Sequence, residues 1–251
     1  MDAIAYWEPK LGTASAEWED GVSYSPSSGW FCVTDGASTG GSSREWAFTL
    51  ASAFTADQPL DVLDPGPAGD DAFRRWLGST RARFDPRSGD FAQSRMPAWV
   101  QDTGAREGAF ATLLGGFMED GRVRLISVGD CCAFQLRGTR VTGTFPLTDA
   151  DQFGSHPDVL GNVASQQDLR LSEVVRRGDF ELTDGDELVV ASDALSEWLL
   201  RSRNSHPAWL AVSSVGAGGF RDLCHDLRIA KLMKNDDVTL LRCRPNGGWN
   251  R

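Results

Sequence analysis

The stretch Gly29–Trp30–Phe31–Cys32–Val33–Thr34–Asp35–Gly36–Ala37–Ser38 constrains the fold more than any other part of the chain. Trp30 to Val33 is apolar without alternation, so it asks for a short strand covered by other layers. Asp35 follows at the strand's end, where a carboxylate can face a cleft, and Gly36 lets the backbone approach whatever Asp35 holds. The same grammar returns near the C-terminus, where Leu188–Val189–Val190–Ala191 ends in Ser192–Asp193–Ala194, and again where Asp236–Asp237 opens Val238–Thr239–Leu240–Leu241. Singly, each is a turn after or before a strand. Jointly, three carboxylate positions at the ends of buried strands form the oxygen-rich kind of cluster that binds hard divalent cations.

The rest of the chain reads as mixed strands and helices. Ala3–Glu8 suits a strand with aromatic anchors, and Val22–Tyr24 with Trp30–Val33 suits a hairpin across Ser25–Gly29. A helix is expected from Ser42 or Ser43, with Glu45 in its first turn and a stripe of Trp46, Leu50, Ala53 and Phe54. Residues 58–69 read as a loop, and a second helix from Asp71 carries Phe73, Trp76, Leu77, Thr80 and Phe84. Its Arg74, Arg75, Arg81 and Arg83 read as a solvated side. Four segments, 108–117, 122–128, 131–137 and 140–145, read as one antiparallel meander rather than the strand–helix alternation of a parallel sheet. Asp184–Gly185–Asp186 turns into the strand 187–191, helices follow Asp193, with a break over Gly216–Gly219, and Val238–Cys243 is the last strand. His156 reads as structural. No repeat or linker divides the chain, so one domain over residues 1–251 is expected.

Composition excludes several classes. A formal net charge of −10 argues against a nucleic-acid or anionic-membrane binder. No run is long and apolar enough to span a bilayer, and Met1–Glu8 lacks the regions of a signal peptide. The five cysteines are odd in number and without repeating spacing, and Cys131–Cys132 has no second pair to make a zinc site. Cys32, Cys131 and Cys224 read as reduced, buried thiols of a cytoplasmic protein.

In order and spacing, these motifs resemble the metal-dependent protein phosphatases of the 2C type. The resemblance rests on Trp18–Glu19–Asp20–Gly21, Val33–Thr34–Asp35–Gly36, Gly108–Thr112, Val128–Gly129–Asp130, Gly185–Asp193 and Asn235–Thr239. It implies an α+β fold in which two antiparallel β-sheets pack as a sandwich flanked by α-helices, a four-layer α/β/β/α arrangement. It implies two Mg2+ or Mn2+ ions, with a third as an option. Asp20, Asp35, Asp193 and Asp236 would be the catalytic carboxylates and metal ligands. Gly36 would lend a backbone carbonyl, Glu19 would act through a metal-bound water, and Asp130 would serve the third ion. The implied reaction is hydrolysis of phosphoserine or phosphothreonine in a protein substrate by a metal-bridging water, in a signalling pathway shared with a protein kinase. No nucleic acid or membrane partner is implied.

The chain departs from the family pattern at four points. Ser15 stands where an arginine usually holds the phosphate, leaving Arg44 or Arg106 to substitute. The glycine pair after Asp-Gly is displaced to Gly40–Gly41, Ala194 follows Asp193, and Asp237 takes the place of an asparagine. The alternative is a catalytically weak or inactive domain acting as a phosphoprotein-binding or regulatory module. A phosphatase with an aspartyl nucleophile fits poorly, because Asp184–Gly185–Asp186 precedes its strand and Asp149–Ala150–Asp151 follows a polar turn.

Overall fold

The computed structural model describes residues 1–37, 42–84, 108–154, 156–164, 168 and 170–245. Expectations for Gly40–Gly41 and Arg106 lie outside these residues. The strands are β1 (Asp2–Glu8), β2 (Gly21–Ser25), β3 (Trp30–Thr34), β4 (Phe110–Ala111), β5 (Leu113–Glu119), β6 (Arg122–Val128), β7 (Cys132–Arg137), β8 (Arg140–Phe145), β9 (Leu160–Gly161), β10 (Arg176–Glu181), β11 (Asp186–Ala191) and β12 (Val238–Arg244). The helices are α1 (Ser43–Asp57), α2 (Pro67–Arg83), α3 (Leu171–Val174), α4 (Asp193–Arg201), α5 (His206–Ser214) and α6 (Ala217–Ile229).

Two five-stranded antiparallel sheets, ordered β1-β12-β11-β7-β8 and β10-β6-β5-β3-β2, carry the molecule, and β4 pairs with β9 beside them. Side chains alternate between the two faces of a strand, so the runs Trp30–Val33 and Leu188–Ala191, covered on both faces, are apolar without alternation. In β3, Phe31 and Val33 enter the layer between the sheets, while Trp30 and Cys32 face α1 and α2. In β11, Leu188 and Val190 enter the same inner layer, while Val189 and Ala191 face α4, α5 and α6. Three apolar layers result, one between the sheets and one under each set of helices, which is the α/β/β/α sandwich. No helix among the described residues is long and apolar enough to cross a membrane.

The meander expectation is corrected. β5 and β6 pair in one sheet and β7 and β8 in the other, so the chain changes sheets at Gly129–Asp130. Gly129 takes a φ of +100°, and a Cβ there would lie 2.6 Å from the Thr112 side chain, so glycine permits the crossing. The strand β10 carries a polar sequence, Arg176–Glu181, because it is an edge strand, and it gave no apolar signal. α2 begins at Pro67 rather than Asp71, with proline in the first turn where its missing N–H costs nothing. Arg81 is not solvated: it holds Asp168 through two bonds of 2.7 and 2.9 Å and donates to the Gly161 carbonyl. The helix break falls at Val215–Gly216, and Gly218 and Gly219 lie within α6.

Gly29 closes the β2–β3 hairpin with a φ of +79°, and a Cβ there would stand 2.1 Å from the Met118 carbonyl. Gly29→Ala combines backbone strain with a backbone clash. It should lower unfolding stability by roughly 2–4 kcal/mol, read as a shift of the urea midpoint at constant m-value.

Candidate functional site

Antiparallel register brings the strand-end carboxylates to one end of the sandwich. Gly21 pairs with Thr34, so Asp20 before β2 and Asp35 after β3 stand side by side. Ala191 pairs with both Leu240 and Cys132, so Asp193 after β11, Asp236 before β12 and Asp130 before β7 reach the same end of the other sheet. A buried hydrogen bond ties the sheets there: the Thr239 hydroxyl donates to Asp20 Oδ2 at 2.7 Å, across 219 positions of sequence.

The five carboxylates feel one another. Burial raises the pKa of Asp35 well above the ordinary range, and repulsion from Asp20, Asp193, Asp130 and Asp236 adds to it. Burial pushes Asp20 up to about 8, against the Thr239 hydrogen bond and with repulsion from Asp237 and Asp193. Burial pushes Asp130 up to about 7, and Asp193 repels it further. Asp193 is raised by burial and then by Asp236, partly offset by Lys234 and by the Ala194 N–H. Two buried oxygens, Asp20 Oδ1 and Asp130 Oδ1, have no hydrogen-bond partner among the described residues. Orphaned acceptors inside a cluster of like charges are what a cation would satisfy. Among the described residues no three side chains already close on a point in metal-ligand geometry. Donors occupy the other oxygens instead: Thr239 on Asp20, and the Ala194 N–H on Asp193 Oδ1.

The backbone around these groups is tightly held. The Asp35 N–H donates to Thr112 Oγ1 at 3.1 Å, and its carbonyl accepts from the Thr112 N–H at 2.9 Å. Gly36 bridges to Ala111, and a Cβ on it would lie 2.6 Å from the Glu19 carbonyl, so only glycine lets the segments carrying Asp20 and Asp35 approach this closely. Asp237 is buried and points away from solvent, accepting from the Lys10 N–H at 2.9 Å and the Glu19 N–H at 2.8 Å. It thereby clamps the Asp20 segment to the Asp236 segment. Arg228 of α6 donates to the carbonyls of Pro9 and Asp236 from the other side.

The remaining expected residues fall as follows. Glu19 is ion-paired with Lys10 at 3.1 Å. Ser15 lies exposed in a single 3-10 turn, Ser15–Glu17. Arg44 donates through Nε to the Trp18 carbonyl at 2.9 Å, and its guanidinium lies 5.0 Å from the centre of the Phe48 ring. All five cysteines are buried and free, and burial raises Cys131 well above its ordinary pKa and Cys132 to about 12. Asp186 is buried under Arg137, and Asp149 caps a 3-10 turn. Sequence reasoning missed Glu197 and Lys234, which pair at 3.0 Å beside Asp193. The only signal was spacing: Glu197 is one helical turn beyond Asp193, and Lys234 two residues before Asp236.

No protein-family model matches the sequence, and no curated protein does. Solved structures resemble it over nearly its whole length. The photosystem II phosphatase PBCP superposes with a TM-score of 0.61 at 16% identity, covering 98% of each chain. The catalytic domain of the serine/threonine protein phosphatase PstP, in complex with 2 manganese ions, gives 0.59 at 17%, covering 96% of each. The PstP/Ppp phosphatase of Mycobacterium tuberculosis gives 0.54 at 20%, covering 96% of this chain and 97% of that one. The shared element is the sandwich: the chain has the fold of the 2C-type serine/threonine phosphatases.

Proposed function

We propose, from a fold held in common with 2C-type phosphatases, that this chain is a metal-dependent phosphatase acting on phosphoserine or phosphothreonine in proteins. The observation that carries the reading is the convergence of five carboxylates, two of whose buried oxygens have no partner among the described residues. Asp20, Asp35, Asp193 and Asp236 would hold two Mg2+ or Mn2+ ions with the Gly36 carbonyl, and Glu19 would sit in the surrounding water shell. Bound divalent ions supply charge that activates water and neutralises phosphate oxygens.

The chain's own residues prepare the site. Thr239 holds one oxygen of Asp20 and leaves the other open to the cluster. The Thr112 pair fixes the Asp35 backbone, and the Ala194 N–H orients Asp193. Asp237 and Arg228 keep the loops in register. The buried thiols stay protonated near neutrality, so none is a ready nucleophile.

The regulatory-module reading draws on two observations: Ser15 is exposed in a turn, and the Arg44 guanidinium is already engaged with the Trp18 carbonyl. Hydrolysis of an aryl phosphate and of phosphothreonine peptides, with manganese and with chelator, separates the two. Turnover that chelator removes and manganese restores supports the enzyme. No turnover at any substrate concentration, with manganese demonstrably bound, favours the module. Turnover unaffected by chelator overturns the metal mechanism.

A further inference from the structure

We propose that the Lys234 ammonium is a tethered counter-cation of the acidic cleft, holding the space among Asp130, Asp193 and Glu197 so that a divalent ion enters there only by displacing it. The inference rests on reading the carboxylate cluster as a metal centre, and it concerns which part of that cluster this chain leaves to metal.

The geometry is specific. Lys234 Nζ lies 3.0 Å from Glu197 Oε2 and 3.8 Å from Asp193 Oδ2. Asp193 and Glu197 are four apart on α4 and present their carboxylates on one face of the helix. From the sheet crossing comes Asp130, 6% exposed, with its Oδ1 unpartnered among the described residues. Lys234 is near enough to offset part of the burial that raises Asp130. The ammonium also lies over the ring of Phe153, 6.0 Å from its centre.

Exposure decides the direction of exchange. The side chains of Asp193 and Glu197 are 16% and 13% exposed, whereas that of Lys234 is 46% exposed. The carboxylates are fixed in the wall, and the ammonium reaches in from solvent on a flexible four-carbon stem. A tethered cation competes with a dissolved one through its high effective concentration. It brings one positive charge and three donors, where a divalent ion brings two charges and demands several oxygens around it. Lys10 makes a comparable pair with Glu19, but among the described residues no second carboxylate stands at ion-pair distance from it.

The test is isothermal titration of the whole chain with manganese chloride, comparing wild type, Lys234→Met, Lys234→Gln and Lys234→Arg. The neutral variants should bind one more manganese ion per chain than wild type, and Lys234→Arg should not. Adding Asp130→Asn to Lys234→Met should remove the extra ion. In chelator at pH 8, Lys234→Met should also melt below wild type, because Asp193 and Asp130 then lose the cation that offsets them, while Arg201 still pairs with Glu197. If wild type binds manganese and the neutral variants bind it with the same stoichiometry and affinity, the tethered cation is overturned and the metal centre stands. If wild type binds none but Lys234→Met binds one, the tethered cation stands and the assigned metal centre falls. If no variant binds manganese, both fall.

Discussion

Asp35→Asn should abolish metal-dependent hydrolysis and, in chelator, raise the melting temperature of the protein. Asp35 stands at the centre of the cluster and is repelled by four other carboxylates. If Asp35 is a metal ligand as proposed, loss of its charge removes a contribution to transition-state stabilisation of several kcal/mol, so turnover should fall roughly a thousandfold or more. Without metal, the same charge only adds repulsion. The sign of the pH dependence follows. Burial raises the folded-state pKa of Asp35, Asp20 and Asp130 above the value of an unfolded carboxyl. Their stabilising effect is complete below the unfolded value, near pH 4, and is lost as pH rises through about 7 to 8. The chelated wild type should therefore melt progressively lower from pH 4 to pH 8. Asp35→Asn should flatten that decline, and manganese should flatten it in wild type. A wild-type melting temperature unchanged over this range in chelator, or undiminished turnover in the variant, would remove the cluster from the functional account.

Glu187→Ala should cost about 3–5 kcal/mol of unfolding stability. Glu187 and Arg242 lie on paired strands of the same sheet and form an ion pair in which Arg242 is 2% exposed. Arg244 joins the same carboxylate at 3.0 Å, and Arg242 also donates to the Ser213 carbonyl at the end of α5. Removing the carboxylate takes a charge partner from a buried guanidinium and loosens the seat of α5. Arg242→Met in the Glu187→Ala background should recover part of the loss, since an apolar pair of similar volume suits the interior. Urea unfolding checks both, and a loss below about 1 kcal/mol would mean that the pair behaves as a surface bridge.

Local rules made much of the sandwich legible. The two-faced burial of β3 and β11 could be read from runs such as Trp30–Val33 and Leu188–Ala191, because a strand covered on both sides has no polar alternation. The stripe Trp46, Leu50, Ala53 and Phe54 marked α1, and all four side chains are buried. The edge strand β10 was invisible because its exposure leaves it polar, and the true start of α2 was hidden because Pro67 reads as a loop residue as readily as a first helical turn.

By itself, then, the sequence determined which residues end strands, and so where Asp20, Asp35, Asp130, Asp193 and Asp236 sit along their own elements. These are short-range matters of apolar period and turn chemistry, complete within a few neighbouring residues. Only the tertiary structure decided that β6 and β7 belong to different sheets, which carries Asp130 to the cluster. It alone joined Thr239 to Asp20, made Asp237 a clamp between the Asp20 and Asp236 segments, and set Lys234 against Glu197. Each of these contacts is specified by the packing of separate layers, and a contact between residues far apart in the chain leaves no mark on the neighbours of either one.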